Sequence, residues 1–139
     1  MSAVHQASCV AIAGRAVLIE GPPGCGKSSL ALALIDRGAV LIGDDGVSLA
    51  ERGGKLIANP PPNIAGLLEV RNLGLLTFPT LAEAPVVLVL CFDPEAPRFI
   101  DAAEQAERGG VQLPLVRLSP GGEVLALKAE LALERYGLA

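Results

Sequence analysis

The feature that most constrains this chain is Gly21-Pro22-Pro23-Gly24-Cys25-Gly26-Lys27-Ser28, a complete G-x-x-x-x-G-K-[ST] pattern. It follows the apolar run Val17-Leu18-Ile19. It opens the segment Lys27 to Arg37, in which Leu30, Ala31, Leu34 and Ile35 fall on one side of a helix. Strand, glycine loop and helix in that order begin a phosphate-binding unit. Each part of the pattern has a physical task. Glycines let successive backbone N–H groups turn inward on phosphates, and the helix N-terminus adds positive partial charge. Lys27 can reach β- and γ-phosphates, and the Ser28 hydroxyl can ligate Mg²⁺. Without the flanking strand and helix the same residues would read as an ordinary glycine-rich turn. Within the loop, Cys25 stands near a helix N-terminus and a lysine, which favours a thiolate; the simpler reading is a small residue that fits.

The remainder predicts a mixed α/β domain over residues 1–139, without repeats or a dividing linker. Cys9 to Ile12 and Ala16 to Glu20 predict strands around a turn at Gly14-Arg15. Gly38 is placed to end the helix, and Val40 to Ile42 predicts a buried strand running into Gly43-Asp44-Asp45. Val47 to Ala50 and Lys55 to Ala58 flank Gly53-Gly54 as a hairpin, and Asn59-Pro60-Pro61-Pro62 must be a loop. Val86 to Phe92, short, continuous and β-branched, predicts a central strand. Arg98 to Arg108 predicts a surface helix, Val111 to Leu118 a strand, and Glu123 to Tyr136 a terminal helix with Val124, Leu127 and Leu131 along its apolar face.

Composition excludes several function classes. Hydrophobic residues make up 51% and charged residues 19%, enough for one real core and too little charge for a disordered chain. A net charge of −4 without a Lys/Arg cluster argues against sequence-independent nucleic-acid binding. Aromatics at 3%, with no Trp, leave no stacking platform for single strands. The longest strongly apolar run, Val86 to Phe92, is roughly a third of the ~20 residues a bilayer-spanning helix needs. No Lys or Arg precedes the apolar N-terminal stretch, so a signal peptide is not indicated. Three cysteines, Cys9, Cys25 and Cys91, widely spaced and without a CxxC pair, read as reduced thiols of a cytoplasmic protein.

Three acidic residues carry candidate chemistry. Asp44 and Asp45 close a predicted strand, where a carboxylate of a phosphate-loop protein can take a proton from an attacking hydroxyl or hold magnesium through water. Adjacent residues of a strand point to opposite sides, so the two cannot share one role; a polar turn starting a hairpin is the alternative. Glu69 lies in the otherwise apolar segment Ile64 to Leu76, either exposed on an alternating strand or recruited to a metal. Arg71 would share its face in an extended segment, as a partner for Glu69 or a phosphate, or as a surface charge.

Taken together, these motifs resemble the catalytic domain of HPr kinase/phosphorylase, the serine kinase of the bacterial phosphotransferase system. The likeness is to the short form of some proteobacteria that lacks the family's N-terminal domain. It rests on His5, sixteen residues before Gly21, on the loop and helix GPPGCGKSSLALALIDRG, on Leu41-Ile42-Gly43-Asp44-Asp45, and on Leu67-Leu68-Glu69-Val70-Arg71-Asn72-Leu73-Gly74-Leu75-Leu76. It spans residue 5 to about residue 98. The resemblance implies a phosphate-loop kinase domain with a mixed central sheet, using ATP and Mg²⁺ to phosphorylate a serine of HPr or an HPr-like phosphocarrier. It implies Asp45 as the base, Lys27 and the loop residues on the phosphates, and Ser28 with Glu69 on magnesium. It also implies His5 as a group that tunes the base or contacts phosphate, and Arg98 as a further catalytic residue. The family commonly forms homo-oligomers, though no seam is legible here. Two departures stand out. Asn72 replaces a glycine, and the family's Pro-Gly-Arg-Asn stretch is echoed only by Ser119-Pro120-Gly121-Gly122, with no arginine after Gly121. That stretch is tied mainly to dephosphorylation, so weak or absent phosphorylase activity is expected, with Arg117 the one residue placed to compensate. The rival functions are a phosphotransferase acting on a small metabolite and a nucleotide-binding regulator without turnover. Intact Lys27, Ser28, Asp45 and Glu69 argue against the regulator.

Overall fold

A computed structural model describes residues 3–63 and 65–139; Ile64, with its share of the apolar 64–76 segment, and the first two residues lie outside the described residues. The elements in chain order are β1 (Ala3–His5), β2 (Ser8–Ile12), β3 (Arg15–Glu20), α1 (Lys27–Asp36), β4 (Val40–Gly43), β5 (Val47–Arg52), β6 (Lys55–Asn59), β7 (Leu67–Val70), β8 (Gly74–Thr77), β9 (Ala84–Phe92), β10 (Glu104–Arg108), β11 (Val111–Leu118) and α2 (Leu125–Tyr136). Nine strands form one mixed sheet with the main order β1-β5-β6-β9-β3-β2-β4, and β7 and β8 make a separate hairpin.

The long apolar β9 organises the sheet. It runs parallel to β3 along one edge (Val17↔Leu88, Ile19↔Leu90). Along its other edge the start of β9 pairs antiparallel with β6 and its end pairs parallel with β11, so the sheet forks there. Period-2 alternation on β3 sends Val17 and Ile19 to one face and Ala16 and Leu18 to the other. The first face packs on Leu30 and Leu34 of α1 and on Ala129, Ala132 and Leu133 of α2. The second encloses Leu18, Ile42, Leu56, Val89 and Leu113. With apolar residues on both faces, β3 and β9 are buried along nearly their whole length, which is why each reads as a continuous hydrophobic run.

Two expectations are corrected. Residues 98–108 form no helix: 98–103 are irregular and 104–108 are β10, paired with β11 from Glu104↔Leu115 to Arg108↔Val111. Gly109 and Gly110, at φ 56° and 84°, form the two-residue turn that brings the strands together. Glycine takes positive φ values at no steric cost, and the tertiary pairing overrides the helical propensity of the Ala- and Glu-rich segment. In α2 the predicted apolar face is the wrong one. Val124, Leu127 and Leu131 are 48%, 42% and 56% exposed, whereas Ala129, Ala132 and Leu133 are buried. Small alanines let the helix approach the sheet closely, a signal that hydrophobicity alone, which favours leucine, does not carry.

No helix of the described residues is long and apolar enough to cross a membrane.

Candidate functional site

The sheet delivers the glycine loop at the end of β3. There the chain must leave the strand, turn and start α1 within six residues, Gly21 to Gly26. Gly26 precedes the helix at φ 106°, a left-handed conformation that admits glycine readily. Gly21 is fixed by space: a Cβ there would lie 2.7 Å from Cys25 Sγ and 3.1 Å from Phe92 Cβ. Cys25 is therefore a packing residue that seats the loop against Phe92 and the core. α1 starts with no side-chain cap and no acid in its first turn. Its leading N–H groups are thus free of side-chain acceptors and suited to an anion. The Lys27 ammonium folds back, donating to the carbonyls of Gly21 at 2.8 Å and Pro22 at 3.4 Å.

Beside the loop lies a cavity of about 360 Å³ lined by residues 23–29, Asp44, Asp45, Glu69 and Arg71. The loop after β4 and the β7–β8 hairpin thus bring the predicted acids to the loop. Asp44 is the hub. Its Oδ1 accepts from the hydroxyls of Ser28 at 2.6 Å and Ser8 at 2.9 Å, and its Oδ2 accepts the Glu69 N–H at 3.2 Å. One carboxylate therefore joins β2, α1 and β7 at the mouth of the cavity. Ser8, fully buried and the start of β2, is a site residue the sequence reading missed. Its signal was a hydroxyl directly preceding an apolar strand, where nothing on the chain's surface needs one.

Asp45 differs from Asp44 in exposure and bonding. It is exposed, sits at φ 56°, and its carboxylate has no hydrogen-bond partner among the described residues. A non-glycine residue in this conformation costs on the order of 1 kcal/mol, with aspartate among the side chains that tolerate it best. Strand alternation does not separate the two acids: both lie past the end of β4 and line the same cavity, and they differ instead in their bonding, Asp44 engaged and Asp45 without a partner among the described residues. Glu69 is exposed on β7 next to fully buried Leu68, so it is both a strand residue and a cavity residue. Arg71 lines the cavity and forms no ion pair with Glu69 among the described residues. Asn72 turns the hairpin at φ 75°, a conformation asparagine shares with the glycine it replaces.

His5 and Arg98 are not brought to the cavity. His5 Nε2 lies 2.7 Å from Glu20 Oε2. Arg98 lies on a groove beside α2 with Phe99, Arg117 and Arg135. Arg117 is itself engaged, with Glu104 at 2.7 and 3.2 Å and Asp93 at 3.4 Å. Glu20, the last residue of β3, also accepts a two-pronged bond from Arg108, Nε at 2.9 Å and Nη2 at 2.7 Å. Burial by itself would raise the Glu20 carboxyl, but the Arg108 and His5 bonds outweigh it and hold it at about 2, below its ordinary 4.5. A depressed carboxylate stabilises the fold above its unfolded value. That contribution is lost as pH falls from 4.5 toward about 2. The urea midpoint of the parent is expected to drop more steeply over that window than that of Glu20→Gln; parallel curves would show that the pair contributes nothing.

The donors around the cavity are hydroxyl and carboxylate oxygens, hard ligands of the kind magnesium takes. Among the described residues there is no cluster of three or more His, Cys, Asp or Glu able to hold a metal alone. A magnesium ion here would complete its shell with phosphate oxygens and water, as it usually does. Ser28 and Glu69 fit such an ion, with Asp44 bonded to the Ser28 hydroxyl, and the loop fits a polyphosphate.

Known proteins resemble this chain in sequence and in fold. The sequence profile of the family named HPr Serine kinase C-terminal domain matches residues 1–84. HPr kinase/phosphorylase of Clostridium tetani is 47% identical over 72 residues, 52% of this chain and 24% of that protein. The Shouchella clausii protein of the same name is 42% identical over 88 residues, 63% of this chain and 28% of its own. The chain thus spans about a quarter of the length of the curated relatives it matches. A solved structure, the Hpr(Ser) kinase/phosphatase from Coxiella burnetii, superposes with a TM-score of 0.83 at 26% identity, covering 95% of this chain and 88% of that one. The glycine loop, the Asp44-Asp45 turn and the β7–β8 hairpin all fall within the matched residues, and the chain belongs to the HPr serine kinase C-terminal domain family.

Proposed function

We propose that this domain transfers the γ-phosphoryl group of ATP, with Mg²⁺, to a seryl hydroxyl of HPr or an HPr-like phosphocarrier protein of the bacterial phosphotransferase system. The observation that carries the reading is the Asp44–Ser28 bond of 2.6 Å. It joins the phosphate loop to an acid whose neighbour, Asp45, is unengaged on the same cavity.

In this mechanism the loop N–H groups and Lys27 bind the phosphates, Lys27 exchanging its contacts with the Gly21 and Pro22 carbonyls for phosphate oxygens. Ser28 and Glu69 hold magnesium, and Asp44 orients the Ser28 hydroxyl. Magnesium held by Ser28 and Glu69 would supply positive charge against the triphosphate. Asp45 accepts the proton of the incoming serine hydroxyl as its oxygen bonds to the γ-phosphorus and the bond to ADP breaks. Such a transfer is mostly positioning and charge neutralisation, for which a free exposed carboxylate facing a pre-formed loop is suited. The protein substrate and the three free thiols fit a cytoplasmic setting.

The reaction is expected to run mainly forward. Reversal brings inorganic phosphate and phosphoserine together in one pocket, which needs positive charge beyond the loop. No arginine follows Gly121, and Arg117 is committed to Glu104 and Asp93. The test incubates purified HPr with labelled ATP and Mg²⁺, and phospho-HPr with excess phosphate. The expected result is phosphoserine on HPr in the first and little pyrophosphate in the second. Label appearing only on small molecules would favour a metabolite kinase, nucleotide binding without label transfer would favour a regulator, and pyrophosphate release at the forward rate would overturn the directional part.

A further inference from the structure

Glu20 places a carboxylate immediately before the glycine loop. Its carboxylate is 14% exposed and stands one position from Gly21. A negative charge there opposes the arrival of a polyphosphate. The fold answers it from two sides. Arg108, at the tip of the β10–β11 hairpin and 25% exposed, grips both carboxylate oxygens. His5, from β1, bonds Oε2 as well. Planar two-pronged pairing of this kind fixes orientation as well as charge.

The link to the loop is short. Glu20 continues directly into Gly21, whose carbonyl receives the Lys27 ammonium and whose Cα is packed against Cys25 and Phe92 with no room for a methyl group. A shift of Glu20 displaces that carbonyl and the start of the loop with it. We propose that Arg108 and Glu20 are a positioning pair for the phosphate loop, Arg108 cancelling the charge of Glu20 and anchoring the loop's first residue so that a nucleoside triphosphate can bind. His5 is the third member, acting through Glu20 rather than on the phosphates. The inference rests on the reading that the loop binds nucleotide, and it assigns a role to a hairpin that lies beyond the residues matched by the family profile.

Its signature is electrostatic. Removing Arg108 leaves the Glu20 carboxylate with His5 as its remaining partner and without the guanidinium charge, so the penalty grows with the charge of the ligand and shrinks with added salt. Loss of fold support alone would penalise nucleotides alike. Affinities for ATP and ADP, with Mg²⁺, are measured by calorimetry at low and high ionic strength for the parent, Arg108→Gln, Glu20→Gln and the double variant. Thermal unfolding of each is followed in parallel. Arg108→Gln is expected to weaken ATP about tenfold or more at low salt and ADP by clearly less. The double variant, which restores neutrality, is expected to return to within about threefold of the parent for ATP. Unchanged affinity in Arg108→Gln, equal losses for both nucleotides, or no recovery in the double variant would overturn the pairing while leaving the kinase reading intact. A parent that binds neither nucleotide would overturn both. If Arg108→Gln does not fold, Arg108→Lys keeps the charge without the fork: a loss of ATP affinity at unchanged salt dependence is then expected, and full affinity would overturn the anchoring role.

Discussion

Replacing Asp45 by asparagine is expected to lower phosphoryl transfer by roughly three orders of magnitude while leaving MgATP affinity within about a factor of three. The amide preserves size and cannot accept the serine proton. Because the Asp45 carboxylate holds no hydrogen bond among the described residues, its neutralisation removes no structural contact. Asp44→Asn is the informative contrast. That carboxylate accepts from Ser28, Ser8 and the Glu69 N–H at once. An amide keeps one acceptor oxygen and offers a donor where three donors already converge, so the variant should lose stability and metal-dependent affinity together. Single-turnover transfer and equilibrium nucleotide binding separate the two. A dead Asp44→Asn with normal affinity beside an active Asp45→Asn would reverse the assignment.

Lys27→Ala and Ser28→Ala should both impair catalysis by about a hundredfold or more, through different routes. Lys27 supplies a fixed positive charge at the loop, already directed there by its bonds to the Gly21 and Pro22 carbonyls. No concentration of divalent cation replaces it. Ser28 is a magnesium ligand in the proposed mechanism, and its hydroxyl donates to Asp44. Raised Mg²⁺ or Mn²⁺ should therefore recover part of the Ser28→Ala activity and none of the Lys27→Ala activity. Equal recovery in both titrations would argue against a metal role for Ser28.

Much of this arrangement was legible in the chain, for reasons that differ by element. The loop and α1 were readable because their pattern is local: the glycines, Lys27, Ser28 and the buried Leu30, Ala31 and Leu34 need no distant partner to be recognised. β3 and β9 were readable because burial on both faces leaves an unbroken apolar run. What depends on pairing was not. Residues 104–108 carry helical propensity, and only their register with β11 makes them a strand. The buried side of α2 is set by how closely Ala129 and Ala132 approach the sheet, which a count of leucines does not reveal. In the site, Asp44, Asp45 and Glu69 could be named singly, but the bonds that give Asp44 and Asp45 different characters run between residues 8, 28, 44 and 69. Ser8 and Glu20 escaped notice for the same reason. Each looks like the polar end of a strand until Asp44 or Arg108 is placed against it.

In the proposed mechanism the cavity between the loop, the Asp44-Asp45 turn and the β7–β8 hairpin holds MgATP with Asp45 facing the phosphoryl group to be transferred. A crystal structure of the domain with Mg²⁺ and a non-hydrolysable ATP analogue tests it most directly. The expected result is phosphates on the loop N–H groups of residues 24–28, Lys27 moved from the Gly21 carbonyl to a phosphate oxygen, magnesium on Ser28 and Glu69, and the Asp45 carboxylate on the open side of the γ-phosphate. Phosphates seated elsewhere, or Asp44 in line with the γ-phosphate and Asp45 turned to solvent, would contradict it.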